Sequence, residues 1–91
     1  MYSRTLTIKN RTGLHARPAG QFVNCAKEFR AKIAVKHPEE REPVNAKSIM
    51  SVLLKEFSKG SRIEIIAEGE DEVRAVDCLA ELIESGFGED V

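Results

Sequence analysis

The 91-residue sequence has no tryptophan, one tyrosine and four phenylalanines. Strands this poor in aromatics offer no platform on which bases could stack, which argues against a nucleic-acid binder. The charge argues the same way. Fourteen Lys and Arg stand against 15 Asp and Glu, a net charge of −1, whereas a dedicated nucleic-acid domain is usually strongly basic. No apolar run approaches the ~18 residues of a membrane span, and the first 13 residues lack the apolar core of a secretory signal. A cytoplasmic protein without a membrane partner is expected. The two cysteines, Cys25 and Cys78, form neither a CxxC pair nor a metal-ligand spacing; they read as small core residues in a reducing compartment, and no metal is expected. Repeats, low-complexity tracts and linkers are absent. The chain is long enough for one domain, residues 1–91, of two layers and not for two lobes with a cleft. No catalytic acid–base pair is evident, so independent enzymatic turnover is not expected.

What is present is a regular alternation of short strands and helices. Residues 3–9 alternate Leu6 and Ile8 with Thr5 and Thr7, a half-buried strand. Asn10 to Leu14 is a loop broken by Gly13, and Arg17-Pro18 opens a helix, proline being tolerated in the first turn. Ala19, Phe22, Val23, Ala26 and Phe29 carry its apolar face. Ile33 and Val35 mark a second strand, residues 37–42 a polar surface turn with a solvated His37, and residues 42–45 a short third strand. A second helix is expected from Ala46 or Lys47, carrying Ile49, Met50, Val52, Leu53 and Phe57 and ending at Lys59-Gly60-Ser61. Residues 62–67 form a fourth strand, and Val73, Val76, Leu79, Ala80 and Ile83 a third helix stopped by Gly86. The order is β-α-β-β-α-β-α. One wet face per strand and one apolar stripe per helix point to an α+β open-faced sandwich, a four-stranded antiparallel sheet with three helices on one side.

Two features stand out against this frame. Residues 1–45 hold nine Lys/Arg and four Asp/Glu, a balance of +5, and residues 46–91 hold five and eleven, a balance of −6. The basic first half alone would suit a small RNA-binding module, for which the strands lack aromatics. The second feature is Thr12-Gly13-Leu14-His15-Ala16-Arg17-Pro18-Ala19. It sets His15 between a glycine-containing loop and a helix start. The first amides of a helix have no partners inside it and, with the helix dipole, favour an anion. Arg17 adds a planar fork suited to phosphate oxygens, and imidazole is a good nucleophile near neutral pH. At an N-cap, Nδ1 is the ring nitrogen nearer the backbone and is the expected reacting atom. The same residues also suit a phosphate-ligand binder or a surface histidine that merely caps the helix.

The segment Gly13-Leu14-His15-Ala16-Arg17-Pro18-Ala19 resembles the signature of the HPr family, the histidine-containing phosphocarriers of the bacterial phosphoenolpyruvate-dependent sugar phosphotransferase system. A second segment, Val44-Asn45-Ala46-Lys47-Ser48-Ile49-Met50, is similar to the family's regulatory serine region. The resemblance covers essentially the whole chain. It implies that His15 takes a phosphoryl group from phosphorylated enzyme I and hands it to the IIA component of a sugar permease, with no cofactor. Arg17 would steady the phosphoryl oxygens, and Thr12 with the backbone of Ala16 and Arg17 would complete the anion nest. A carrier needs an open site that both partners can approach in line.

The resemblance further implies that Ser48 is the residue phosphorylated by HPr kinase/phosphorylase in many bacteria, a modification that also creates the surface read by a catabolite-control transcription factor. Positions matching Ile49, Met50 and Leu53 would form the apolar docking patch for enzyme I and IIA. A monomer is expected. The chain departs from the family after Met50, where a glycine is usual. Residues 51–58 contain none, so a longer second helix is expected.

Overall fold

The computed structural model describes residues 1–89. Its elements are β1 (Tyr2–Thr7), α1 (Ala16–Lys27), β2 (Lys32–Lys36), β3 (Val44–Asn45), α2 (Ile49–Leu54), β4 (Arg62–Glu68) and α3 (Glu72–Glu84), closed by a 3-10 turn over Gly86–Gly88. The strands form one sheet in the order β1-β4-β2-β3, every neighbouring pair antiparallel. The expected element order and open-faced architecture are both observed.

The register explains the layers. Leu6 lies opposite Ile63, Val35 opposite Ile65, and Ile33 opposite Ala67, so the inward positions of three strands fall in shared rows. All six are buried. Ala19, Phe22, Val23 and Ala26 of α1 and Ala75, Val76, Leu79, Ala80 and Ile83 of α3 form stripes at helical spacing that close over this face. Removing such side chains from water is the main favourable term, about 25 cal/mol per Å² of apolar surface. The other face stays open: Ser3, Thr5, Thr7, Lys32 and Glu68 are exposed, and Glu64 and Ile66 half-buried.

Four expectations need correction. The second helix is shorter at both ends, running only over Ile49–Leu54. At its start the Ala46 amide still bonds the Ile33 carbonyl at 2.9 Å, in the manner of a strand. Ser48 is therefore the extended N-cap, its Oγ accepting the Ser51 amide at 3.3 Å. At its end Glu56 takes a left-handed φ of 52°, which a continuing helix does not allow. Phe57 reaches the core from this turn, although its spacing imitated a helix face. The third strand is reduced to Val44–Asn45.

The cysteines also divide. Cys25 is half-buried in α1, and burial, followed by the nearby Cys78 and Glu28, pushes its thiol up to about 11. Cys78 is exposed, because it falls on the solvent side of the α3 stripe, as does Val73. Finally, His37 is not a solvated loop residue. Its Nε2 lies 2.7 Å from the Lys55 carbonyl oxygen and its ring packs on Phe57.

The start of α3 is fastened to the turn between α1 and β2. Both Asp71 carboxylate oxygens accept backbone amides, from Arg30 and Ala31, each at 2.9 Å. Gly69 packs so closely here that a Cβ would sit 2.8 Å from the Ala31 Cα. The Arg30 amide leads in holding the Asp71 carboxyl below its ordinary value, with the Ala31 amide and the Arg74 charge adding to it against partial desolvation. A carboxyl lowered on folding contributes stability above its unfolded pKa of about 3.9, and that contribution disappears as pH falls through the folded value. Asp71→Asn is therefore expected to lower the urea midpoint at pH 7 and to flatten the loss of stability between pH 5 and pH 2, both read from denaturation curves across that range.

Candidate functional site

The loop between β1 and α1 is organised by Asn10, the one fully buried polar side chain among the described residues. Its Nδ2 donates to the Gly13 carbonyl at 2.9 Å, and the Asn10 backbone carbonyl accepts the Gly13 amide at 3.2 Å. Gly13 adopts φ 68°, and a Cβ there would lie 2.5 Å from the Phe57 carbonyl oxygen and 2.9 Å from the Ser58 Cα. The Leu14 amide then donates to the same Phe57 oxygen at 2.8 Å, and the Leu14 side chain is fully buried. The residue before His15 is thus pinned from both sides.

His15 is the N-cap of α1, with extended φ −131° and ψ 162°, and its side chain makes no capping hydrogen bond. The ring is half-exposed and not spent on its own helix. Ala16 follows at φ 51°, a conformation costing a non-glycine residue of order 1 kcal/mol. Pro18 has no amide, so Ala16 and Arg17 supply the unsatisfied donors of the first turn. No acidic side chain occupies that turn. Arg17 is exposed and belongs to no salt bridge among the described residues. Two other basic residues of the first half pair with acids of the second: Arg4 with Asp77 at 3.2 Å and Glu84 at 3.7 Å, and Lys36 with Glu64 at 3.1 Å. The sequence polarity is partly spent on tying the halves together.

Thr12 is not idle. Its hydroxyl lies 2.9 Å and 3.1 Å from the two carboxylate oxygens of Glu89, which also accepts the Asn10 Nδ2 at 3.1 Å. The Asn10 amide leads in holding the Glu89 carboxyl below its ordinary value; Thr12 and the Arg17 charge add to it, and partial desolvation opposes them. The Thr12 hydroxyl is thus engaged by a carboxylate of the chain itself. Asn10 and Glu89 were not among the residues singled out from sequence. An Asn three residues before a loop glycine is a legible turn signal; Glu89, 77 residues from Thr12, carries none.

The α2 residues are arranged around their own surface. Ile49 is 40% exposed, Met50 66% and Leu54 77%. Leu53, expected in the patch, is half-buried, and Leu54 is the most exposed of the four. Ser48 is half-buried at the start of the same helix. No cluster of three His, Cys, Asp or Glu side chains with metal-site geometry occurs among the described residues. No described helix is long and apolar enough to cross a membrane.

Residues 2–85 match the family model described as PTS HPr component phosphorylation site. Among curated relatives, the phosphocarrier protein HPr of Treponema pallidum is 40% identical over 90 residues, covering 99% of this chain and 100% of that protein. The multiphosphoryl transfer protein of Haemophilus influenzae is 42% identical over 88 residues; the chain spans only 18% of its length. Among solved structures, a Thermoanaerobacter tengcongensis HPr superposes with a TM-score of 0.94 at 46% identity, covering all of both chains. An HPr dimer from the same organism gives 0.76 at 47% identity, covering 98% of this chain and 100% of that one. The fold is that of a small phosphoryl-carrying protein without catalytic turnover of its own. The chain belongs to the HPr family of phosphocarriers of the phosphotransferase system.

Gly13→Ala would place a methyl group against the Phe57 backbone in a left-handed conformation. The expected cost is about 2–4 kcal/mol, from strain and displacement of a packed loop, measured as a lowered urea midpoint with an unchanged denaturant slope.

Proposed function

We propose that this chain accepts a phosphoryl group on His15 from phosphorylated enzyme I and passes it to the IIA component of a sugar permease. The observation that carries the reading is the His15 ring itself. It stands at a helix start, half-exposed and free of any capping bond, beside the first-turn amides of Ala16 and Arg17 and an exposed Arg17 side chain that joins no salt bridge among the described residues. The Nδ1 lone pair attacks phosphorus, the bond from phosphorus to the donor breaks, and a P–N bond forms. Transfer to IIA reverses these steps with a new acceptor. Arg17 and the amides of Ala16 and Arg17 face the phosphoryl oxygens, and Thr12 joins them when Glu89 yields. The protein holds and presents the group; the partners close over it and exclude water.

Docking is assigned to the exposed face of α2, with Ile49, Met50 and Leu54 as its apolar contacts and Leu53 at its border. Small exposed apolar patches commonly mark protein interfaces. The reading is of a cytoplasmic monomer, one copy holding every residue named here. Incubation with enzyme I and labelled phosphoenolpyruvate is expected to give acid-labile label on the wild-type protein and none on His15→Ala. Label surviving that substitution overturns the assignment. Arg17→Ala is expected to lower transfer by about 10–100-fold, the loss of one charge-assisted phosphate contact.

Ser48 is proposed as a regulatory phosphorylation site for HPr kinase/phosphorylase, with a catabolite-control transcription factor as reader. A phosphate at the N-cap of α2 is electrostatically compatible with the helix, and it adds about two negative charges beside the docking residues. Kinase and ATP are expected to label the wild type and not Ser48→Ala, and the phosphorylated form to accept phosphate from enzyme I more slowly. Equal acceptance rates for both forms would contradict the regulatory role.

A further inference from the structure

We infer that His37 is a positioning residue for His15, acting through Lys55 and Phe57. The inference rests on His15 being the phosphoryl acceptor. The residues joining the two positions lie in segments that sequence reading treats as a surface turn and a helix end.

The route begins in the turn after β2. The His37 Nε2 is 2.7 Å from the Lys55 carbonyl oxygen, just beyond the last residue of α2. The His37 ring lies 4.4 Å from the Phe57 ring, centroid to centroid, inclined by 32°. The His37 amide donates to Glu40 Oε1 at 3.0 Å, and the same oxygen receives the Lys55 ammonium at 2.9 Å. Lys36 Nζ closes the turn from the other side, donating to the Pro38 carbonyl at 3.1 Å and the Glu40 carbonyl at 2.8 Å. Residues 36–40 therefore form a clasp around residue 55.

Phe57 carries the route onward. Its ring is fully buried, and its carbonyl oxygen accepts the Leu14 amide. Leu14 immediately precedes His15. Between Lys55 and Phe57 lies Glu56 in its left-handed conformation, the point where the chain leaves α2. A carbonyl on the far side of such a turn is aimed only if the turn is held. His37 holds it twice, by a hydrogen bond to Lys55 and by ring contact with Phe57. Errors of about 1 Å in the placement of a reacting group can cost as much as 100-fold in rate, so a clasp on the support of His15 bears on transfer even though His37 touches no phosphate. The docking residues of α2 lie outside this route, which separates its effect from partner affinity.

The test uses His37→Ala and, from the other end, Phe57→Leu, which keeps an apolar filler and removes the ring. His37→Gln restores a side-chain donor at the Nε2 position. With enzyme I as donor, His37→Ala is expected to lower kcat about tenfold with KM changed less than about twofold. Hydrogen exchange of the Leu14 amide should quicken about tenfold in both His37→Ala and Phe57→Leu, and the His15 ring 15N shifts should move. His37→Gln should recover most of kcat. Folding of each variant is checked by its thermal midpoint. Unchanged kcat and unchanged Leu14 exchange in folded His37→Ala overturn the inference, as does a rise in KM at constant kcat. Failure of the His15 assignment is a different result, label on His15→Ala, and leaves the Leu14 exchange to judge the clasp alone.

Discussion

The site depends on one backbone contact: the chain at Gly13-Leu14 lying directly on the chain at Phe57-Ser58. Only a residue without a Cβ lets the two main chains come this close. The contact extends the β1–β4 pairing past the strand ends, where Ile8 and Gly60-Ser61 exchange hydrogen bonds at 2.8 Å and 2.7 Å. It brings the β1–α1 loop against the exit of α2. His15 takes its place from that joint, since it makes no side-chain bond to its own helix. A helix of six residues is far below the ~12–15 at which an isolated helix becomes stable in water. α2 therefore relies on packing, with Val52 buried beneath it.

A carrier has to accept and release the same group, so a deep cage of permanent partners would work against it. The site proposed here supplies donors sparingly: two amides, one arginine and a threonine already bonded to a carboxylate. Glu89 is notable in this respect, because an anion of the protein's own is held beside the place where a second anion is proposed to arrive. The few ion pairs among the described residues, each of small individual worth, fasten the first half of the chain to the second. The near-zero total charge thus conceals some internal matching, in which Arg17 takes no part among the described residues.

Much of this was legible before the structure. Alternating Leu6, Ile8, Ile33, Val35, Ile63 and Ile65 disclosed the sheet, because a strand's period of two is dictated by its pleat. The stripes of α1 and α3 were legible for the same kind of reason. The His15 motif was legible because its residue types sit next to one another. The end of α2 was not. Phe57 follows Leu53 and Leu54 at helical spacing, and nothing local announces that Glu56 turns left-handed; the core position beside Leu14 demands it. His37, too, looked like a solvated turn residue, because its partners at Lys55 and Phe57 are distant in sequence. Hydrophobic period reveals which face is buried, and it is silent about a chain that enters the core from a turn.

One consequence follows from the open side of the sheet. The residues proposed to react or dock, at the start of α1 and along α2, come from helices and their approaches, and the outward row Ser3, Ile66, Ala34 and Asn45 contributes none of them. The molecule is in effect a tile with a working surface and a plain back. A tile of this kind can be set into a larger assembly by its back without covering the working surface. That suits an architecture whose relatives range from a protein matched over its full length to one in which the match occupies less than a fifth.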